Sequence, residues 1–235
     1  MNKILVLTAL SVALTGLCPG ASVCVSGSLS SYLALGSDGC TIGPDTLFDF
    51  RVLPGTTGAS EIAPTAALLA PSSGAPNVTL TTSVNVTSAS GSIQELLFTY
   101  KLSGESYIAS AISLSNSSES GDGAVTGLQN FCADGFFGTN GVSGCTGRAG
   151  SLAAVDGAQN SDSKSFAAAA LLSVTNDLTI DGGLRGSARG ATLANQFTTV
   201  SSTVPEPMPV LLTGIGLALA TLRLVQSKRK DLHNK

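Results

Sequence analysis

The chain has 235 residues, of which 11% are charged, and a formal net charge of −3. It is long enough for one domain with a sizeable core and too poor in charge for a solvated disordered tail or a Glu/Lys-rich helical bundle. Between positions 23 and 203 lie 13 acidic and 6 basic residues, a net charge of −7; that surface repels phosphate and speaks against a nucleic-acid partner.

From the start of the chain, Met1–Lys3 form a short positive segment, Ile4–Leu17 an apolar stretch, and Gly20, Ala21 and Ser22 a run of small residues. This order is that of a secretory signal peptide over 1–22, cleaved near Ala21 or Ser22. A run of about 14 apolar residues is short of the ~20 that cross a bilayer as a helix. Cys18 is not read as a lipidation site, because bulky Leu17 precedes it where that processing needs a small residue.

Removing the signal leaves Cys24, Cys40, Cys132 and Cys145, an even number in a chain bound for an oxidising compartment. Four cysteines allow three pairings; joining nearest neighbours, Cys24 to Cys40 and Cys132 to Cys145, would close two short loops and is the expected arrangement. No C-x-x-C pair occurs and the only histidine is His233, so a zinc site is not expected.

The segment 23–203 reads as one all-β ectodomain, an antiparallel β-sandwich. Val78, Leu80, Thr82, Val84 and Val86 alternate with polar residues up to a turn at Ala89-Ser90-Gly91-Ser92. Two strands, 93–102 and 107–114, follow around Ser103-Gly104-Glu105, as expected of a meander with a short hairpin loop. Alanine-rich 63–70 and 166–172 fit a short helix or a buried strand equally. A strand through 171–180, a turn at Asp181-Gly182-Gly183 and a last strand near 188–199 complete the set.

Catalytic patterns are sparse. Without a histidine before the tail no Ser-His-Asp or Cys-His set assembles, and no G-x-S-x-G elbow occurs, so the chain is not expected to be an enzyme and no cofactor is implied. Glu61, Glu95, Glu105 and Glu119 are the carboxylates a glycoside hydrolase would need in pairs, and they read as solvated strand ends. Tyr32, Tyr100 and Tyr107 suit core packing or the sheet surface better than a sugar-binding platform in a chain without Trp. Ser120–Gly123 and Asn160–Ser163 read as ordinary turns, since neither has the spaced carboxylates of a calcium loop.

At the far end, Val204-Pro205-Glu206-Pro207 is followed by Met208-Pro209, an apolar run 210–222, Arg223 and the cluster Lys228-Arg229-Lys230. Prolines keep the first stretch extended, and the apolar run then begins a single membrane helix, lengthened by Leu224 and Val225 while Arg223 snorkels. The basic cluster stays cytoplasmic by the positive-inside rule, which puts the 23–203 domain outside, in agreement with the signal peptide.

Proline motif, short apolar helix and basic cluster together resemble the PEP-CTERM sorting domain over 204–230, with 231–235 a short cytoplasmic extension where family members usually end sooner. The resemblance implies an exosortase-type membrane protease as partner, recognition at Pro205, Glu206 and Pro207, Arg223, Lys228, Arg229 and Lys230 as the membrane stop, and release from a transient inner-membrane anchor to the cell surface or extracellular matrix. More loosely, Ser30-Ser31-Tyr32, Gly39-Cys40-Thr41-Ile42-Gly43, Phe48 and Phe50 resemble ectodomains of some such proteins, to which no activity attaches. The expected role is therefore non-catalytic, with extracellular polysaccharide as the candidate ligand. The rivals are a dedicated polysaccharide-binding module and a two-carboxylate carbohydrate-active enzyme.

Overall fold

The computed structural model describes residues 21–200. Residues 1–20 of the expected signal peptide and the whole of the expected sorting tail, including Pro205, Glu206, Pro207, Arg223, Lys228, Arg229 and Lys230, lie outside the described residues. In chain order the elements are β1 (Ser22–Val23), β2 (Gly27–Ser28), α1 (Leu29–Leu33), β3 (Cys40–Ile42), β4 (Asp45–Val52), β5 (Ser60–Glu61) and β6 (Ala67–Gly74). They continue with β7 (Asn77–Ala89), β8 (Ile93–Ser115), β9 (Ser118–Ser120), β10 (Ala124–Ala133), β11 (Arg148–Val155), β12 (Ser161–Asp181) and β13 (Ser187–Thr199).

The strands form one curled, mixed sheet. Its main path runs β1-β3-β4-β8-β13-β7-β6-β2, with β12, β10 and β11 branching from β8. Most neighbours are antiparallel, but β1 runs parallel to β3 and β5 parallel to β8. The expected purely antiparallel arrangement is thus replaced by a mixed one at two short edge pairs.

The curl originates in β8. Its first half, from Ile93 to Ser103, has β12 on one side and, on the other, β5 at Gln94–Glu95 and then β4 from Phe98 to Ser103. Its second half, from Tyr107 to Ser115, keeps β12 on one side but exchanges β4 for β13 on the other. The hairpin expected at Ser103-Gly104-Glu105 is therefore absent: these residues are a kink inside one continuous strand. Gly104 adopts φ 147°, and a Cβ there would collide with the backbone of Asp45, so the bend needs a residue without a side chain. Asp45, fully buried, holds the kink by accepting hydrogen bonds from the Glu105 backbone N–H at 3.0 Å and from the Tyr107 hydroxyl.

Because the sheet curls, its halves face one another and enclose the core. Val78, Leu80 and Val84 of β7 point inward, as do Leu96, Phe98, Tyr100 and Leu102 of β8, following the period-2 alternation of a strand with one solvated face. Phe197 of β13 meets Tyr100 and Tyr107 edge-on, each at 6.4 Å between ring centroids. Each such buried side chain contributes roughly 1.5–3 kcal/mol. The core also holds polar pairs: Asn176 of β12 and Asn195 of β13 exchange two amide hydrogen bonds of 3.0 Å, and Gln129 of β10 donates to Ser110 of β8 at 2.9 Å.

Neither alanine-rich segment is helical: of 63–70, residues 64–66 form a turn and 67–70 begin β6, and Phe166–Leu172 lies within β12. Pairing with β7 and β8 overrides the helix propensity of alanine, a preference worth only tenths of a kcal/mol per residue. Asn160–Ser163 is likewise not a turn, since Ser161 begins β12 and pairs with Ser113. The single helical turn, α1, is capped by Ser28, whose side chain accepts from the Ser31 N–H, and is fastened by the Tyr32 hydroxyl donating to Val25 O at 2.7 Å.

Two disulfides pin the ends of the layer. Cys24–Cys40 clips the chain after β1 to the start of β3, and Cys132–Cys145 closes the loop that leaves β10. This is the nearest-neighbour pairing, and loops of this length each stabilise the fold by about 3 kcal/mol through the unfolded chain.

Candidate functional site

The outer face of the β4-β8-β12 region carries a groove of about 240 Å³, lined by Asp49, Arg51, Leu53, Lys101, Phe136 and Phe137 among others. One wall comes from a bulge in β4. Phe48 pairs with Lys101, but the next aligned pair is Arg51 with Thr99. The extra residue is absorbed at Asp49, which takes φ 55° and donates its N–H to Gly36 O at 3.1 Å. Such bulges re-aim side chains. Here the bulge sets the Asp49 carboxylate between two cations, Lys101 Nζ at 2.6 Å and Arg51 Nη2 at 2.8 Å.

The other wall is the loop between β10 and β11, held by the Cys132–Cys145 bridge. Ser173 of β12 donates to Gly135 O at 2.9 Å and Thr175 donates to Gly141 O, so two outward hydroxyls of the sheet fasten the loop across it. Within the loop, Thr146 N–H donates to Phe136 O at 3.0 Å and Gly138 N–H to Ser143 O at 2.8 Å. The result presents Phe136, 48% exposed, beside Lys101, whose Nζ lies 4.6 Å from the ring centroid in a cation–π contact.

Partial burial raises the pKa of the Asp49 carboxyl, but its hydrogen bonds and charge attraction to Lys101 and Arg51 outweigh that and hold it below its ordinary value. Asp49 is therefore ionised at neutral pH. Two cations face one anion, which leaves the groove locally positive in a domain whose net charge is −7.

The residues singled out for chemistry in the sequence lie elsewhere. None of Glu61, Glu95, Glu105 and Glu119 lines this groove. Glu95 is not a solvated strand end: it is 3% exposed under the 55–61 loop and accepts from the Thr56 backbone N–H and, at 2.9 Å, from the Thr56 hydroxyl. Asp177, on the neighbouring strand, has its pKa raised by burial first and by the Glu95 charge second. Glu119 sits on the exposed edge at β9, where burial and the adjoining Asp156 push its pKa up to about 7, while bonds from Ser117 and Glu119 hold Asp156 low.

Tyr32, Tyr100 and Tyr107 are all core residues. Asp122, in the turn Ser120–Gly123, accepts from the Leu184 and Arg185 N–H groups at 3.0 and 2.8 Å, so its oxygens serve the neighbouring turn. Among the described residues no cluster of three or more His, Cys, Asp and Glu could hold a metal ion, and no helix is long and apolar enough to cross a membrane.

Asp49, Arg51, Lys101 and Phe136 were not marked by any local pattern. Asp49 and Lys101 are far apart in sequence; the pairing of β4 with β8 and its bulge bring them together, and the disulfide loop sets Phe136 beside Lys101. No protein-family model, curated protein or solved structure matches this chain.

Proposed function

We propose that the chain is an exported, non-catalytic surface or extracellular-matrix protein, delivered by an exosortase-type membrane protease that reads Pro205, Glu206 and Pro207. The observation that carries this reading is the order of parts in 204–230: proline motif, apolar run, then Arg223 and Lys228-Arg229-Lys230. An anchored substrate is confined near a membrane-embedded active site, which raises its effective concentration there.

The disulfides Cys24–Cys40 and Cys132–Cys145 support an oxidising, extracytoplasmic destination. The facing halves of the curled sheet support the finer description of the ectodomain as a β-sandwich. A binding role for the groove is favoured over a catalytic one, because Asp49, neutralised by two cations and held ionised, is a poor proton donor or acceptor near pH 7.

The test is replacement of Pro205, Glu206 and Pro207 by alanine in a host that carries an exosortase. Export should persist while a C-terminal epitope stays on an inner-membrane precursor. If the epitope instead remains on the surface-localised wild-type protein, the tail is a permanent anchor and the sorting reading fails.

A further inference from the structure

We propose that the groove between the β4 bulge and the disulfide loop binds a small organic acid: a carboxylate borne on a six-membered ring, with the carboxylate on Lys101 and Arg51 and the ring on Phe136. The inference concerns the ectodomain's own ligand and is independent of how the tail is processed.

The donors are in place and only partly used. Arg51 spends its Nε and Nη2 on Asp49 Oδ1, at 2.9 and 2.8 Å, and among the described residues its Nη1 has no protein partner. Lys101 places one bond, of 2.6 Å, on Asp49 Oδ2 and has two further N–H donors. Asp49 fixes both cations in position but cancels only one of their charges. An incoming carboxylate therefore completes the charge balance at two pre-oriented donors, and charge-assisted bonds of this kind are the strong ones.

The shape selects what carries the acid. Phe136 is half exposed, with Phe137 and Leu53 beside it, so the floor next to the cations offers an aromatic face and aliphatic surface to a ring that is flat or rich in C–H groups. A cavity of about 240 Å³ has room for one such ring and not for an extended chain of them. The walls are braced by a disulfide and by the Ser173 and Thr175 hydrogen bonds, so little ordering is left for binding to pay for.

The chemistry is shared by a uronic acid and by an aromatic acid, and calorimetry separates them. The full-length chain, purified in a nonionic detergent, is titrated at pH 7 and low salt with sodium glucuronate and sodium benzoate, and with glucuronamide and benzamide as uncharged counterparts. One acid should bind with a Kd of roughly millimolar or tighter, and its amide about tenfold more weakly or not at all. Whichever acid gives heat names the source.

Arg51→Gln, at a side chain 67% exposed and remote from the core, should weaken that acid about tenfold with an unchanged circular dichroism spectrum. Lys101→Met should weaken it at least as much. The proposal is overturned if neither acid binds at about 10 mM, if acid and amide bind alike, or if Arg51→Gln leaves the affinity of the acid unchanged.

Discussion

The reciprocal amide pair between Asn176 and Asn195 offers a sharp test of how the two facing halves are joined. Both residues are fully buried, and each amide satisfies the other with bonds of 3.0 Å. Replacing Asn195 by Leu keeps the γ-branched shape but leaves the Asn176 N–H and carbonyl facing an apolar side chain. Each stranded group costs about 1–3 kcal/mol, and the added apolar burial of Leu returns about 1 kcal/mol.

The net loss expected is therefore about 1–5 kcal/mol. For a domain of this size that lowers Tm by roughly 2–20 °C. Replacing both residues by Leu removes the stranded partner and should bring stability back to within about 1 kcal/mol of wild type. Urea denaturation with a fixed m-value, run on wild type, both single variants and the double, completes the cycle. If the double variant loses the sum of the two single losses, or if Asn195→Leu costs less than about 1 kcal/mol, the pair does not join the halves as described.

Replacing Cys132 and Cys145 together by alanine should cost about 3 kcal/mol in denaturant unfolding and loosen the Phe136 wall, seen as loss of whatever ligand heat the intact groove gives. Burial pushes the Tyr32 phenol up to about 12 and drives Tyr100 and Tyr107 higher, Tyr107 with the added effect of Asp45. Ultraviolet titration should therefore show no tyrosinate at pH 10 to 11 in the folded protein. Because the unfolded chain releases these protons first, near pH ~10, stability should be full below that pH and decline as pH rises through about 12. Glu119 should titrate near 7 in a carbon-detected NMR experiment, with Asp156 well below it, and Asp156→Asn should bring Glu119 back down toward the ordinary carboxylate range. An unmoved Glu119 midpoint in that variant would mean that Asp156 does not contribute to the shift.

Legibility in the sequence followed the chemistry of each strand. Around β7, Val78, Leu80 and Val84 alternate with hydroxyl residues and the pattern reads directly. β10 went unread because its inward positions are Val125, Gly127, Gln129 and Phe131: Gly127 leaves room for Leu193, and Gln129 is paid for by Ser110 rather than by apolar burial. Ser103-Gly104-Glu105 has the composition of a turn, and nothing local distinguishes a chain that doubles back from one that kinks and continues; the buried Asp45 that decides it comes from another strand. The cysteine pairing was suggested by spacing. The groove was not, since a β-bulge and a cation supplied by the adjacent strand leave no periodic mark.

The position of the last strand has a consequence for how the protein is made. β13 lies in the interior of the sheet between β7 and β8, and it supplies Phe197 and Asn195 to the core. Until Thr199 has emerged from whatever conduit the chain travels through, β7 and β8 face an open slot with both flanking edges unsatisfied. Completion of the fold is thus coupled to arrival of the final residues before the tail, and a chain held back a few residues short would expose two sticky strand edges to its neighbours.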